Sequence, residues 1–288
     1  MKKFIKILLI SDYDGTFTSQ IPENYKKNIA AVERFKKDGG LFAFATGRDF
    51  HSIAAVEPNF AKIANAPIIM ANGARLYDPD KKEFIVSHTL NLPLFLEYLD
   101  VICENYPGIG VRFSCENGLV TPALNEILKD DLKDIFAWNI SVRKMSAKEL
   151  LQSGEKVYKC VMVCDPKIID NVKKLALDFS EKINSDEIFF TKTYIRGLEA
   201  VDKNATKAAT ALKLKEYLNA RDNCEYKLFA IGDYDNDLDM IKLADCGAAP
   251  ENALDEVKKS AKVVTVGNND GAVADFIGII ERDYVYGL

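Results

Sequence analysis

Short, continuous apolar runs alternate with amphipathic stretches through the first third of the chain. Residues 4–11, 41–45 and 67–71 have the pattern of strands buried on both faces. Between the first two, residues 22–37 carry apolar side chains at helical spacing, and the segment ends at a Gly-Gly pair. Buried strands that alternate with helices favour a parallel sheet covered on both faces. The sequence therefore predicts an α/β fold.

The middle third of the chain has a different hydrophobic pattern, in which the apolar runs are shorter and contain more polar residues. Strand patterns at 110–115, 158–164 and 188–195 and helix patterns at 91–105 and 166–183 predict a small α+β domain. The last third returns to the first pattern, with a helix predicted over 205–218 and a buried strand over 227–231. We therefore predict one core domain, formed by residues 1–80 and 196–288, with a second domain inserted at 81–195.

Composition excludes several classes of partner. The chain has 288 residues, of which 48% are hydrophobic and 28% charged, as in an ordinary globular protein. The formal net charge is −5, which gives no electrostatic basis for binding nucleic acid or an anionic membrane. Any phosphate group must then be held locally, by a few placed side chains and a cation.

The cysteines and the N-terminus predict a cytoplasmic location. None of the six cysteines forms a C-x-x-C pair and there are only two histidines, so we expect reduced thiols and no zinc site. The first ten residues are basic and apolar, but Lys6 interrupts them, Asp12 follows closely and no cleavage site is present, so we expect no signal peptide. No stretch approaches the roughly 18 apolar residues of a membrane span.

Polar residues follow each of the three predicted strands in the first third. Asp12 and Asp14 follow the first strand, Thr46 and Gly47 the second, and Asn72 the third. In open parallel sheets the functional crevice lies at the carboxyl ends of the strands. Each of these short motifs can also be interpreted as an ordinary helix cap or turn. Their shared location at the carboxyl ends of strands is what indicates a functional site.

A second acidic group lies late in the chain. Asp233 and Asp237 flank a turn after the strand at 227–231, and Lys207 opens the helix before it. Together with Asp12 and Asp14 they would place four carboxylates at neighbouring strand ends, which is costly unless a cation neutralises them. Hard oxygen ligands without His or Cys favour Mg²⁺.

The ordered set of motifs resembles the haloacid dehalogenase-like superfamily of phosphotransferases, and looks most like its Cof-type sugar-phosphatase branch. The matching blocks occur in both outer thirds of the chain. They are Asp12-Tyr-Asp-Gly-Thr, Thr46-Gly-Arg, Asn72-Gly-Ala, Lys207, Gly232-Asp-Tyr-Asp-Asn-Asp, Pro250-Glu-Asn-Ala and Asn269-Asp-Gly. The resemblance implies a Rossmann-like parallel-sheet core with an inserted α/β cap domain in the middle third.

The resemblance also implies a Mg²⁺-dependent phosphatase that acts on small-molecule phosphomonoesters, such as sugar phosphates, through an aspartyl-phosphate. Asp12 would be the nucleophile, and Asp14 would first protonate the leaving oxygen and then activate water. The implied metal ligands are Asp12, Asp14 (through its carbonyl), Asp233 and Asp237. The implied phosphate-binding residues are Thr46, Gly47, Lys207 and Asn236. Arg48 and Asn72 would lie at the rim of the site and contact the substrate.

The inserted cap would set the substrate specificity. Its basic residues Arg112, Arg143, Lys159 and Arg196 are candidate substrate contacts, although each is individually more typical of a solvated charge.

Three alternatives stay open from the sequence. The same superfamily includes phosphotransferases and mutases, and sucrose- or trehalose-type phosphatases share the core. A non-catalytic binding module on a similar sheet is a third alternative, although no G-x-G-x-x-G follows the first strand. The physiological substrate and the oligomeric state are not predicted.

Overall fold

The computed structural model describes residues 2–137 and 140–286. These residues form two compact units. The first contains residues 2–47, 59–86 and 207–286, and the second contains residues 48–58 and 87–206. The domain limits predicted from the sequence, at residues 80 and 195, remain a prediction, because compactness alone does not define where a domain begins.

The strands and helices of the described residues are numbered in chain order. The strands are β1 (Ile7–Ser11), β2 (Leu41–Phe44), β3 (Ile68–Met70), β4 (Arg75–Asp78), β5 (Glu83–Ser87), β6 (Gly110–Cys115), β7 (Gly118–Thr121), β8 (Val142–Lys144), β9 (Val157–Val163), β10 (Ile188–Tyr194), β11 (Gly197–Asp202), β12 (Lys227–Ile231), β13 (Cys246–Pro250) and β14 (Val263–Thr265). The α-helices are α1 (Pro22–Lys37), α2 (Phe50–Val56), α3 (Phe60–Ile63), α4 (Leu92–Asn105), α5 (Glu126–Asp131), α6 (Lys133–Ala137), α7 (Ala147–Ser153), α8 (Ile169–Ile183), α9 (Lys207–Asp222), α10 (Leu238–Leu243), α11 (Asp255–Ser260) and α12 (Ala272–Ile279).

The first unit is built on a five-stranded sheet with the order β14-β13-β12-β1-β2. Its paired strands all run parallel. One face packs on α9 and α10, through residues such as Leu214 and Met240. On the other face an aromatic layer forms, in which Phe229 packs on Phe276 of α12 and Phe17 packs on Phe42. The predicted α/β class with a parallel-sheet core is confirmed.

A second sheet of the first unit joins β3, β4 and β5. We expected residues 67–71 to continue the parallel sheet. In the described residues β3 meets that sheet at a parallel bridge between Ala45 and Ile69 and pairs along its length with β4 in antiparallel fashion. The turn-rich segment after Asp78 separates β4 from β5, and the Asp78 carboxylate accepts hydrogen bonds from the next amides of that turn.

The first strand is shorter than its apolar run. Residues 4–6 were predicted to belong to it, but β1 begins at Ile7 because Lys6 has a left-handed backbone with φ of 64°. Phe4 instead packs its ring on Phe35 of α1. The apolar run therefore contains two features: Phe4, which packs in the core, and the strand β1.

The second unit contains a six-stranded mixed sheet with the order β10-β11-β9-β6-β7-β8. Helices α4, α7 and α8 cover one face and contribute Phe95, Leu150 and Val172 to its core. On the other face Leu128 and Leu132, in and just after α5, pack on Val161. This is the additional α/β sheet unit expected for the inserted segment.

In the described part of the chain, no helix combines the length and the apolar character needed to cross a bilayer.

Candidate active site

Asp12 stands where the central strand β1 ends. Its amide donates to the carbonyl of Ile231 on the neighbouring strand β12 at 2.9 Å, so the chain keeps its sheet partner up to this residue. The next five residues form an irregular turn in which Gly15 has φ of 78°. Asp12 is only 5% exposed. The Asp12 carboxylate is therefore fixed at the C-terminal end of the central strand and is almost inaccessible to water.

Lys207, the first residue of α9, lies between two carboxylates. Its Nζ donates to Asp12 Oδ1 at 2.5 Å and to Asp237 Oδ1 at 2.7 Å. The side chains of Lys207 and Asp237 are each 1% exposed. A lysine opposes the dipole at a helix N-terminus, at a cost of roughly a few tenths of a kcal/mol. The two buried ion pairs explain why it stands there.

Asp233 and Asp237 are held by the turn after β12. Asp237 Oδ2 accepts hydrogen bonds from the amides of Asp233 and Tyr234 at 3.1 and 3.2 Å. A Cβ on Gly232 would lie 2.4 Å from Cγ of Asp237, so only glycine lets this carboxylate approach the backbone. Thr16 Oγ1 donates to Asp233 Oδ1 at 2.6 Å, which ties this turn to the one after β1.

Three of the four carboxylates predicted to converge do so. One oxygen from each of Asp12, Asp233 and Asp237 lies within 4.8 Å of the others. Among the described residues that cluster does not include the Asp14 carboxylate, and Asp14 is exposed. Asp14 was predicted to bind the metal through its backbone carbonyl. The positions of the carboxylates do not test that prediction.

The electrostatics of the cluster fit a bound cation. Burial raises the pKa of Asp12 well above its usual value, Lys207 opposes that rise, and the neighbouring carboxylates add to it. Burial and the charge of Asp237 raise the pKa of Asp233 to about 7. Burial lowers the pKa of Lys207, but the charges of Asp12 and Asp237 more than offset this and raise it. One ammonium thus faces three carboxylates, of which Asp12 and Asp237 are buried and Asp233 is partly exposed. This is an excess of negative charge that a hard divalent cation would neutralise.

The residues predicted to bind phosphate lie at the next strand ends. Thr46 is fully buried, and its carbonyl accepts from the amide of Asn72 at 3.1 Å. Ala71 and Asn72 both have left-handed backbones, with φ of 49° and 58°, which is an unfavourable conformation for alanine. This conformation brings Asn72 Oδ1 within 2.9 Å of Asn236 Nδ2.

Asn236 and Gly47 complete this side of the site. Asn236 Oδ1 is buried without a hydrogen-bond partner in the structure. A Cβ on Gly47 would lie 3.2 Å from Asn72 Oδ1, closer than most side-chain contacts. The unpartnered Asn236 oxygen shows that this wall of the site has hydrogen-bonding capacity left over.

Arg48, predicted at the rim, groups with the second unit. Its Nη1 donates to Ser52 Oγ of α2 at 3.2 Å.

The basic residues of the second unit that were candidate substrate contacts are all in ion pairs within that unit. Arg112 pairs with Asp131, Arg143 with Glu155, Lys159 with Glu199 and Arg196 with Asp130. Lys159 and Glu199 are the most buried of these, with side chains 5% and 4% exposed.

Two polar residues that hold the site together, Thr16 and Asn252, lie in the matching blocks, but the sequence assigned neither of them a role. Thr16 belongs to the Asp12 motif, but its bond to Asp233 was not predicted. Asn252 donates to the carbonyl of Gly15 from a distant turn. A hydroxyl next to paired carboxylates is a signal for the first, but nothing local signals the second, because its partner lies 237 residues away.

A profile of the haloacid dehalogenase-like hydrolase family matches residues 9–277. The chain belongs to this family. Relatives named as phosphatases include 5-amino-6-(5-phospho-D-ribitylamino)uracil phosphatase YitU of Bacillus subtilis, which is 24% identical over 94% of this chain and 96% of its own. This haloacid dehalogenase-like hydrolase is therefore a phosphatase.

Solved structures show the same fold. A haloacid dehalogenase-like hydrolase from Bacteroides thetaiotaomicron is 25% identical and superposes with a TM-score of 0.73 over 95% of this chain and 99% of its own. The subclass IIB sugar phosphatase BT4131 is 19% identical, with a TM-score of 0.76 over 95% of this chain and 98% of its own. Hydrolases of this family generally use Mg²⁺, and the acidic cluster fits that ion.

Proposed function

We propose that this phosphatase is Mg²⁺-dependent and hydrolyses small phosphomonoesters through an aspartyl-phosphate on Asp12. The observation that carries the proposal is the buried arrangement of Lys207 between Asp12 and Asp237, with Asp233 beside them. Transfer of a phosphoryl group requires a fixed positive charge, here the Lys207 ammonium, and a cluster of oxygen ligands for a metal ion.

In the proposed first step, an oxygen of Asp12 attacks phosphorus and the bond from phosphorus to the ester oxygen breaks. The exposed Asp14 gives its proton to that oxygen, so the substrate leaves as an alcohol. In the second step a water gives a proton to Asp14 and attacks phosphorus, which releases inorganic phosphate and restores the Asp12 carboxylate. The cycle consumes one water and needs no other co-reactant.

The other residues bind and orient in this proposal. Lys207, Thr46 with the amide of Gly47, and Asn236 would hold the non-bridging phosphoryl oxygens. The carboxylates of Asp12, Asp233 and Asp237 and the carbonyl of Asp14 would hold Mg²⁺. When bound, that ion supplies positive charge against the charge that develops on the phosphoryl oxygens.

The substrate class proposed is a phosphorylated sugar or a related metabolite, as in the Cof-type branch. Support comes from relatives: YitU and YwtE of Bacillus subtilis are named as phosphatases of a phosphoribitylamino uracil, and BT4131 as a sugar phosphatase. Both kinds of substrate carry a phosphate on a polyhydroxylated chain. A phosphate-release screen over such metabolites, with and without Mg²⁺, tests this class directly.

Phosphoryl transfer to an acceptor hydroxyl stays an alternative, because the first step is common to both reactions, and so does a sucrose- or trehalose-type phosphatase. We also propose that the protein acts in the cytoplasm, where the six cysteines, all unbridged in the structure, would stay reduced.

The covalent mechanism is tested by separating Asp12 from Asp14. Asp12→Asn removes the nucleophile, so no phospho-enzyme should form with any substrate. Asp14→Asn keeps the nucleophile but removes the proton donor and the later base. With a nitrophenyl ester, which needs little protonation, it should give a burst of leaving group and a trapped, acid-labile phosphate on the protein.

Rapid-quench labelling followed by mapping of the modified peptide makes the measurement. Label on Asp14, or a phospho-enzyme that persists in Asp12→Asn, would overturn the assignment of the nucleophile.

A further inference from the structure

The side-chain amide of Asn252 uses both of its ends to join two loops. Its Nδ2 donates to the carbonyl of Gly15 at 2.9 Å, and its Oδ1 accepts from the amide of Asn268 at 2.8 Å. Asn268 in turn donates from its own Nδ2 to the carbonyl of Thr18 at 3.0 Å. The turn that follows Asp12 is thus held at both Gly15 and Thr18 by a pair of asparagines.

The segment that carries Asn252 also contacts the other half of the acidic cluster. The amide of Leu254, two residues further on, donates to the carbonyl of Asp233 at 3.0 Å. The intervening turn is closed by a bond from the amide of Ala253 to the carbonyl of Pro250 at 2.8 Å. One short, braced turn therefore holds the backbone of both Gly15 and Asp233.

The Gly15 peptide is a sensitive point for the chemistry. Gly15 has a left-handed backbone, and a Cβ there would lie 2.6 Å from Asp233 Oδ2, so this residue is packed directly against the carboxylate. Asp14 is the residue before it in the same turn and is exposed. The Gly15 amide donates to Thr18 Oγ1 at 3.1 Å and its carbonyl accepts from Asn252, so these two contacts set the path of the turn that carries Asp14.

We propose that Asn252 is a positioning residue that orients Asp14 by holding the carbonyl of Gly15. This inference rests on the proposed role of Asp14 as the acid that protonates the leaving oxygen. Loss of the Asn252 contact leaves the Gly15 carbonyl without this donor and loosens the turn that carries Asp14, so proton transfer suffers while the Asp12 nucleophile, anchored on β1, stays in place.

Leaving-group dependence separates this role from a merely structural one. An alkyl phosphate needs the acid and a nitrophenyl phosphate hardly does. We therefore expect Asn252→Ala to lower kcat/KM about tenfold for an alkyl ester and less than about threefold for the nitrophenyl ester. Asn252→Asp keeps the acceptor for Asn268, removes the donor to Gly15 and adds a negative charge, and it should show the same selective loss.

Asn269 offers matched controls from the same network. Its Oδ1 accepts from the amide of Gln20, further from Asp14 along the same loop. Asn269→Ala deletes that contact and Asn269→Asp adds the same charge as Asn252→Asp while it keeps an acceptor. Both should change the two esters to the same extent, by less than about threefold, with melting temperatures comparable to those of the Asn252 variants.

Asp14→Asn is the reference for the selective loss. If it discriminates against the alkyl ester and the Asn252 variants do not, Asn252 has no positioning role although the proposed function stands. If the Asn269 variants discriminate as strongly as those at Asn252, the effect belongs to the whole loop and the inference is wrong. If Asp14→Asn itself shows no discrimination, its role as the acid fails and the inference fails with it.

Discussion

At the scale of single residues, the site is organised around an imbalance of charge. Lys207 is the one cation within hydrogen-bond reach of Asp12 and Asp237 among the contacts described, and all three side chains are nearly inaccessible to water. Removing one partner of a buried ion pair is far more costly than losing an exposed pair, because the remaining charge stays desolvated. Lys207 is therefore expected to serve both the fold and the chemistry.

Lys207→Met should lower kcat by at least about 10²-fold, because it removes a charge placed against the transferring phosphoryl group. It should also lower the free energy of unfolding by about 3 kcal/mol, which denaturant titration measures. Lys215→Met, on the same helix, is the control, since Lys215 lies 3.8 Å from Asp245 and is partly exposed. That change should cost less than about 1 kcal/mol and leave kcat unaltered. A Lys207→Met enzyme within threefold of the parent would contradict the proposed role.

The residues of the site differ in how far the sequence predicts them. Asp12, Asp233 and Asp237 follow apolar strands, and the parallel-sheet rule places strand ends together, so their convergence can be predicted. The Asn252 contact to Gly15 cannot, because it depends on the register of a turn that no local pattern specifies. Likewise the left-handed backbone of Ala71 contradicts the local preference of alanine and arises from the tertiary contacts of the strand end.

At the scale of elements, one ion pair stabilises the β8 edge of the six-stranded sheet. Arg143 on β8 donates to both oxygens of Glu155 at 2.7 and 2.9 Å, and the amide of Asn117 donates to the same carboxylate at 2.8 Å. Burial raises the pKa of Glu155, but these hydrogen bonds more than offset it and hold the pKa below its usual value. The turn between β6 and β7 is thereby tied to the segment after α7.

This pair should make stability depend on pH. Because the pKa of Glu155 is lower in the folded state, its contribution is present above the unfolded pKa, near 4.5, and is lost as the pH falls through the folded value. Glu155→Gln should lower the free energy of unfolding by about 1 kcal/mol at pH 7, a figure reduced by the partial exposure of Arg143. The difference from the parent should shrink towards pH 3.5 in urea titrations.

Glu216→Gln, at an exposed position of α9, is the matched control and should behave like the parent at every pH. A Glu155 deficit that stays constant from pH 7 to pH 3.5 would show that the charge of Glu155 is not what stabilises this edge.

The strands and helices were largely predictable where one element buries a continuous apolar face, as in β1, β12 and α1. The predictions failed where backbone conformation outweighs the pattern. Lys6 adopts a left-handed conformation and thereby shortens the first strand.

At the scale of the whole molecule, the acidic cluster should couple metal binding to stability. A ligand that binds only the folded state stabilises it, so saturating Mg²⁺ should raise the melting temperature by about 3 °C. Asp233→Asn should abolish this shift, while Asp235→Asn, in the same turn but outside the cluster, should keep it. Ca²⁺ should inhibit, because it accepts more ligands and can take both oxygens of Asp12.

Differential scanning fluorimetry and phosphate-release assays make these measurements. Full activity after exhaustive chelation, or an equal loss of the thermal shift in both variants, would remove Mg²⁺ from the proposal.

Specificity is expected to lie in the inserted segment, residues 81–195. The candidate catalytic, metal and phosphate residues all fall outside that segment, so we expect it to contact the rest of the substrate. Replacing that segment by its counterpart from YitU should change the ranking of phosphoesters in a phosphate-release screen and retain activity on nitrophenyl phosphate. A folded chimera with the parental ranking would show that the segment does not determine specificity.

The parallel pairing of β1 with β12 has a consequence for how the protein is made. Ile7 pairs with Lys227, so the central strand of the first sheet waits for more than two hundred residues to leave the ribosome before it gains that neighbour. Closing so long a loop is slow, and until then β1 has β2 on one side and an unpaired edge on the other, which is prone to pair with other chains. Residues 87–206 are contiguous and emerge earlier, so they are free to fold while β1 still waits. The nascent chain should therefore depend on chaperones until its last third is synthesised, and Asp12 meets Lys207 only near the end of translation.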